Sequence, residues 1–169
     1  MPETDVELEE AFSDALASER ISIVRYPKGI FEEYPTPFRM IPYHGVLTYS
    51  ENIKKTKTVV ITAGRLTKNA ADAIALTGKN IALIKLTKVF PLPIKEILSL
   101  TENAKNIYIL EENYVHGGFA EKIASNLRSK NVNVHAIPDF VEHGDLGDLF
   151  RICGFSTEQL AKAFQKLAK

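Results

Sequence analysis

From residue 58 onward, the chain alternates between apolar strands and single helices. The predicted strands are Thr58–Ala63, Ile81–Ile84, Ile107–Leu110 and Val132–Ala136. Strands that are apolar along most of their length are typical of a sheet covered on both faces. Parallel neighbours need a crossover connection, and a single helix between successive strands supplies it. The sequence therefore predicts an α/β fold in three layers, with a mostly parallel sheet between two layers of helices.

The ends of the predicted helices carry recognisable signals. Gly78 stops the first helix of this region, Pro93 suits the first turn of the second, and Gly117-Gly118 precedes the third. Ser156 and Gln159 have the spacing of a capping box, which opens the last helix.

The first 57 residues have a different composition. Thr4 and Glu7 form another capping box, which predicts an N-terminal helix. Ile21–Tyr26 has the composition of a strand and stops at Pro27. Prolines and glycines recur over the next thirty or so residues, and proline both removes a backbone donor and fixes φ. We therefore expect an extended connection and a domain boundary there.

Composition argues against several classes of function. The 169 residues carry 21 basic and 21 acidic side chains, so no net field attracts nucleic acid or an anionic membrane. Cys153 is the single cysteine; it cannot form an internal disulfide, and we interpret it as a small core residue in a reducing cytoplasm. His116, His135 and His143 lack the spacing of metal ligands. We predict no metal site, no nucleic-acid partner and no membrane span.

Two cations flank the proline that ends the predicted N-terminal strand. Arg25 precedes Tyr26-Pro27, and Lys28 follows it beside the flexible Gly29. Such an arrangement suits a phosphate or carboxylate ligand. The residues fit equally well as two solvated cations at a domain edge, and their pattern alone leaves both interpretations open.

Two pairs of residues lie near the end of the strand Ile107–Leu110. Glu111 and Glu112 are placed where open α/β sheets bind ligands, and paired carboxylates can perform acid–base chemistry. Adjacent side chains of a strand point to opposite sides, however, which favours separate structural roles. Gly117-Gly118 either binds an anion at a helix start or forms a tight turn, and we favour the turn.

Four segments resemble, in order and spacing, the C-terminal region of the 1-deoxy-D-xylulose-5-phosphate synthase family, whose members are transketolase-like, thiamine-diphosphate-dependent enzymes. The segments are Val24–Gly29, Val89–Pro93, Leu110–Phe119 and Ile137–Gly144. The last segment contributes Pro138, Asp139 and Gly144, which resemble the family's Pro-Asp-x-Phe run and the glycine that follows it.

The resemblance implies how the chain is divided. Residues 1–29 would be the end of a pyrimidine-binding domain, residues 30–53 a linker, and residues 54–169 a transketolase C-terminal domain. That domain is expected to hold a five-stranded, mostly parallel sheet with one antiparallel edge strand. Its expected partners are the rest of the parent enzyme and a second copy in a homodimer.

The resemblance also implies a reaction. The family joins a two-carbon unit from pyruvate to glyceraldehyde 3-phosphate on thiamine diphosphate and Mg²⁺. The arginine matched by Arg25 would bind the phosphate of the acceptor, with Lys28 as a further candidate. The Gly-Asp-Gly and asparagine that hold the cofactor are not found here, so we expect no catalytic residue and no cofactor ligand in this chain, and no activity from it alone.

Some positions depart from the family pattern. Thr87 stands where the family has a second substrate arginine, unless Lys85 or Lys88 replaces it, and Phe90 and Pro93 stand for a lysine and an aspartate. The substrate therefore stays open. A transketolase-like paralogue, a beta-type subunit of a 2-oxoacid dehydrogenase, a pure interaction module and a flavodoxin-like binder are the alternatives.

Overall fold

The computed structural model describes residues 1–28, 41–43, 46–49, 52–137 and 139–167. The strands among them are β1 (Ile41–Tyr43), β2 (Val46–Thr48), β3 (Thr58–Ala63), β4 (Ile81–Leu86), β5 (Asn106–Tyr114) and β6 (Asn131–Ile137). The helices are α1 (Asp5–Ala17), α2 (Leu66–Thr77), α3 (Ile94–Leu100), α4 (Phe119–Asn126), α5 (Leu146–Ile152) and α6 (Thr157–Leu167), with a short 3₁₀ turn at Ile53–Lys55.

The described strands form one mixed sheet in the order β1-β2-β4-β3-β5-β6. β3 pairs in parallel with β4 on one side and with β5 on the other, and β6 continues the parallel part beyond β5. β2 runs antiparallel to β4. The predicted mostly parallel sheet of five strands with an antiparallel edge strand is thus confirmed in β2 to β6. The three-residue β1, which was not predicted, adds a sixth strand antiparallel to β2.

Two apolar cores lie on the two faces of the sheet. One packs α3 and α4 on the sheet through Ile97 and Ile123, and the other packs α2 and α6 through Leu66 and Phe164. Every residue of β3 and β4 is buried. The apolar composition predicts this for most of them but not for Lys85. This arrangement confirms the three layers. The predicted stop of α2 is also confirmed, because Gly78 has the left-handed φ of +60° that ends helices.

The N-terminal part differs from its prediction. The strand predicted at Ile21–Tyr26 is wrong: these residues lie in irregular structure, and the side chains of Ile21 and Ile23 are 98% and 90% exposed. An alternating apolar pattern gives a segment one apolar face, but a strand also needs a neighbour for its backbone hydrogen bonds. Among the described residues, no strand lies beside this segment.

The predicted linker also contributes to the sheet. β1 and β2 fall inside residues 30–53, and Val46 of β2 is fully buried, so part of that segment is a sheet edge rather than a plain connection. The remainder of the predicted linker, residues 30–40, 44–45 and 50–51, lies outside the described residues, as does Pro138. The division of the chain at residues 29 and 53 stays a prediction.

α5 was not predicted, because Leu146–Ile152 is only seven residues long, includes Gly147 and buries none of its side chains completely. No helix among the described residues has both the length and the apolar character that a membrane span requires.

Candidate functional site

The order in which the parallel strands are added to the sheet reverses at β3. The chain leaves β3 through α2 to reach β4 on one side, and then returns through α3 to β5 on the other side. In open α/β sheets such a reversal opens a crevice at the carboxyl ends of the two strands, where ligands bind. Here the ends are Ala63 of β3 and Glu111–Tyr114 of β5.

Two adjoining cavities occupy this crevice, with volumes of about 390 Å³ and about 230 Å³. Three residues line both of them: Met1 and Arg25 of the N-terminal part, and Glu112 of β5. Gly117, Gly118 and Lys122 border the larger cavity only. The crevice is therefore shared between the C-terminal sheet and the N-terminal residues.

The structure brings both predicted phosphate ligands to the crevice. The exposed Arg25 borders both cavities, and Lys28 borders the smaller one beside Arg65 and Glu112. No described residue lies within hydrogen-bonding or ion-pairing distance of the Arg25 guanidinium. The group is placed to meet a ligand, and its role as a phosphate ligand stays a prediction.

Glu111 lines the larger cavity and caps a helix. Its buried carboxylate accepts hydrogen bonds from the backbone amides of Phe119 (3.1 Å) and Ala120 (2.7 Å), the first amides of α4. Burial raises the pKa of Glu111, while these two amides and the positive charge of Arg25 act in the opposite direction. Capping a helix in this way is a structural role, which is the role that the sequence favours for Glu111.

The two glycines before α4 make room for that cap. A Cβ on Gly118 would lie 2.6 Å from Cδ of Glu111, so only glycine allows the carboxylate to approach. Gly117 has a left-handed φ of +81°, and its amide donates to the Glu121 carboxylate at 2.9 Å. Because Glu111 already occupies the amides of Phe119 and Ala120, the turn interpretation of Gly117-Gly118 is favoured over anion binding.

Glu112 points away from Glu111, as the alternation of a strand predicts. It accepts two hydrogen bonds from Nε of Arg65, at 2.7 Å and 2.9 Å, and a further one from the second guanidinium nitrogen. This contact raises the pKa of Arg65. The guanidinium carbon also lies 5.4 Å from the ring centre of Phe150 in α5. Sequence reasoning missed Arg65, whose one signal was its position directly after a strand and a glycine.

The other predicted motif residues lie away from the crevice. Asp139 is exposed and accepts a hydrogen bond from the adjacent amide of Phe140 at 2.7 Å. Gly144 is exposed in the loop before α5 and faces Leu149. Neither residue lines the two cavities that Arg25 borders.

His135 is a packing residue. Its Nε2 donates to the carbonyl oxygen of Cys153 at 2.7 Å, and its Nδ1 lies 2.7 Å from the hydroxyl of Tyr108. A carbonyl only accepts, so Nε2 carries the proton and Nδ1 accepts from the tyrosine in the neutral ring. Cys153 is half-buried, and burial raises the pKa of its thiol, which matches an unreactive residue.

The suggested replacements for the second substrate arginine lie outside the two cavities. Lys85 is completely buried, and its ammonium contacts the carboxylates of Glu3 and Glu7. Lys88 is exposed and lies 3.9 Å from Asp14. Neither lysine borders the crevice, so Lys85 is wrong as a substitute phosphate ligand: burial closes it off from any substrate.

Comparisons with known proteins identify relatives along nearly the whole chain. The chain is 28% identical to a 1-deoxy-D-xylulose-5-phosphate synthase of Clostridium tetani, over 98% of this chain and 28% of that protein. It is 30% identical to the synthase of Pelotomaculum thermopropionicum, over 96% of this chain and 27% of the relative. The chain thus spans little more than a quarter of the length of these relatives.

Solved transketolases share the fold. A split-gene transketolase, described as an inactive beta4 tetramer, superposes with a TM-score of 0.57 and 18% identity over 68% of this chain and 41% of its own. A transketolase of Pichia stipitis in complex with sedoheptulose 7-phosphate also gives 0.57, at 16% identity, over 73% of this chain and 18% of its own. At these identities the likeness concerns the fold alone.

The sequence profile of the transketolase C-terminal domain matches residues 50–160. This match covers more than half of the chain and includes β3 to β6 with the helices between them. The chain therefore belongs to the transketolase C-terminal domain family.

Proposed function

We propose that this chain is the C-terminal part of a thiamine-diphosphate-dependent synthase that joins a two-carbon unit from pyruvate to glyceraldehyde 3-phosphate. One observation carries the proposal: similarity to 1-deoxy-D-xylulose-5-phosphate synthases covers 96–98% of this chain but only 27–28% of those proteins. The remaining three quarters of such an enzyme would supply the rest of the active site.

In this proposal Arg25 is the chain's own contribution to substrate binding. A guanidinium grips a phosphate through two parallel hydrogen bonds, which a single ammonium group cannot do. Arg25 is exposed at the rim of both cavities, and Lys28 adds a second positive charge beside the smaller one. Together they suit the phosphate of a phosphorylated acceptor.

The described residues do not fit thiamine diphosphate and Mg²⁺. No group of three or more histidine, cysteine, aspartate or glutamate side chains comes together among them as a metal site. The two carboxylates nearest the crevice are engaged elsewhere, Glu111 by the start of α4 and Glu112 by Arg65. Cofactor binding therefore belongs to the remainder of the enzyme in this proposal.

The proposed partners are that remainder and a second copy of the enzyme. Large apolar side chains are exposed in the N-terminal part: Phe12 (45%), Leu16 (87%), Ile21 (98%) and Ile23 (90%). Ile21–Tyr26 has the alternation of a strand and could add to a sheet of the missing domain through its free backbone groups. The single cysteine is consistent with a reducing cytoplasm.

A related synthase with a different acceptor is the second candidate. Thr87 replaces the second substrate arginine, and its backbone carbonyl accepts a hydrogen bond from the Met1 amino group at 2.6 Å. Arg25 and Lys28 would then be the proposed phosphate ligands at the crevice, without a second substrate arginine. A smaller or less charged acceptor fits this reduced set.

Reconstitution tests the proposal. The chain would be combined with the remaining part of the synthase from the same genome and assayed with pyruvate and glyceraldehyde 3-phosphate. We expect product from the combination and none from either part alone. Calorimetry with thiamine diphosphate and Mg²⁺ should show no binding to the isolated chain. A combination that binds the cofactor yet releases no product would contradict the assigned reaction.

A further inference from the structure

A buried lysine lies beneath the N-terminal segment. Lys85 is on β4, on the same side of the sheet as Leu83, the side that α2 and α6 cover. None of its side chain is exposed. A buried ammonium group is very costly unless negative charge and hydrogen bonds compensate it.

Glu7 of α1 supplies that compensation. Its two carboxylate oxygens lie 2.8 Å and 2.7 Å from Nζ of Lys85, and one of them also accepts the backbone amide of Glu3 at 2.8 Å. The two residues are 78 positions apart in the chain. This ion pair thus joins the first helix to the centre of the sheet.

Glu3 completes the cluster in a different way. One of its oxygens accepts from the Thr67 hydroxyl at 2.6 Å, and the other lies 3.1 Å from Nζ of Lys85. Burial raises the pKa of Glu3 to about 7, even though the charge of Lys85 opposes the shift. Glu7, the Met1 amino group and Tyr49 are the other ionisable groups that face it. Both oxygens of Glu7 lie closer to Nζ of Lys85 than the oxygen of Glu3 does, so Glu7 is the main partner of the ammonium group.

Apolar packing gives α1 little support. None of its residues is fully buried, and its apolar side chains Phe12 and Leu16 are exposed. A helix of 13 residues is marginal in water without tertiary contacts. Polar contacts of the helix must therefore add to the anchoring that Met1, packed against the apolar core, and the buried Pro2 supply just before it.

We infer that the Lys85–Glu7 ion pair is a latch that docks the N-terminal segment onto the sheet and so positions Met1 and Pro2 at the crevice. Both of these residues border the smaller cavity together with Arg25. The latch thereby fixes one wall of the crevice. It is a docking contact between two parts of the chain, and it is independent of the reaction proposed above.

Native-state hydrogen exchange of the intact chain tests the latch with three variants. Glu7→Gln removes the carboxylate that lies closest to the Lys85 ammonium, and Lys85→Met removes the ammonium itself, so α1 should undock in both. We expect its amides to exchange about 100-fold faster, while β3, β4 and β5 keep their protection. Glu3→Gln is the matched control, because an amide can donate to Thr67 and accept from Lys85; its α1 should exchange within about threefold of the original chain.

Two results would overturn the latch: unchanged exchange of α1 in Glu7→Gln, or acceleration in Glu3→Gln equal to that in Glu7→Gln. Lys85→Met alters a residue in the sheet and can disturb folding, but the two glutamate variants change residues outside the sheet and decide the question without it. Asp14 of α1 has an exposed ion-pair partner, Lys88. Lys88→Met removes that partner and should leave the exchange rates of the α1 amides unchanged.

Discussion

The carboxylate of Glu111 occupies the space in which a side chain on Gly118 would begin. A Cβ at that position would lie 2.6 Å from Cδ of Glu111 and 2.7 Å from one of its oxygens. The same carboxylate accepts the amides of Phe119 and Ala120, the first residues of α4. Strand β5 and helix α4 are thus joined by a cap that requires both the acid and the glycine.

Gly118→Ala should destabilise the protein because the new methyl group displaces the cap. Gly118 has an ordinary extended φ of −78°, so the loss comes from the collision and not from backbone strain. We expect the free energy of unfolding to fall by about 1–3 kcal/mol in urea titrations. Gly147→Ala is the matched control, since nothing lies within 4 Å of its new Cβ and the residue is in α5. It should be neutral or slightly stabilising, and equal losses in the two variants would contradict the cap.

The pKa of Glu3 predicts a dependence of stability on pH. The folded-state pKa of about 7 exceeds the usual 4.5, so the folded protein holds a proton that the unfolded chain releases. The resulting stabilisation is complete below the unfolded pKa and disappears as pH rises from about 4.5 to about 7. Raising the pH from 4.5 to 8 should therefore cost the original chain about 3 kcal/mol relative to Glu3→Gln.

Urea titrations of both proteins at the two pH values measure this difference. The comparison with Glu3→Gln removes the contribution of every other titrating group, because those groups are common to both proteins. A constant difference between the two proteins across this range would show that Glu3 titrates normally.

The contact between Arg65 and Glu112 should be measurable as a coupling energy. The pair is half-buried, two guanidinium nitrogens of Arg65 donate to the carboxylate, and the guanidinium lies over the ring of Phe150. Its geometry is therefore better than that of a solvated ion pair. A double-mutant cycle of Arg65→Met and Glu112→Gln should give a coupling of about 1 kcal/mol. The exposed pair Arg151–Asp148 in α5 is the control, and its cycle should give nearly none.

The sheet could be predicted from the sequence because its signals are local. Thr58–Ala63 is apolar apart from its two threonines and is followed by a glycine, and it forms β3 with the predicted bounds. The cap at Thr4 was likewise predicted, and its hydroxyl accepts the amide of Glu7 at 3.2 Å. A strand or a cap depends on neighbours within a few positions, which the sequence displays directly.

Contacts between distant positions could not be predicted in this way. The carboxylate of Glu7 does not return to Thr4 but contacts Lys85, 78 residues away, and this ion pair buries a lysine that sequence reasoning left as a candidate substrate ligand. Arg65 was missed for the same reason, since its partner Glu112 is 47 positions away. The position of the crevice depends on the strand order. The sequence shows only that strands and helices alternate, which does not determine that order.

Arg25 carries the prediction closest to function. In the reconstituted synthase, Arg25→Ala should lower kcat/KM for a phosphorylated acceptor by about 10- to 100-fold, which is the loss expected when one or two charge-assisted hydrogen bonds are removed. Pyruvate should react with the cofactor as before, because Arg25 is proposed to meet only the acceptor. Arg25→Lys should recover little of the loss, since an ammonium group cannot form the paired contact.

An unphosphorylated acceptor separates this role from a structural one. If Arg25 binds the phosphate, Arg25→Ala should leave kcat/KM for that acceptor nearly unchanged. If it is a cation at a domain edge, the loss should be small or equal for both acceptors. Arg20→Ala is the matched control, because Arg20 is exposed in the same N-terminal part but borders neither cavity. Equal losses with both acceptors would remove Arg25 from the substrate site and leave it a residue of the domain junction.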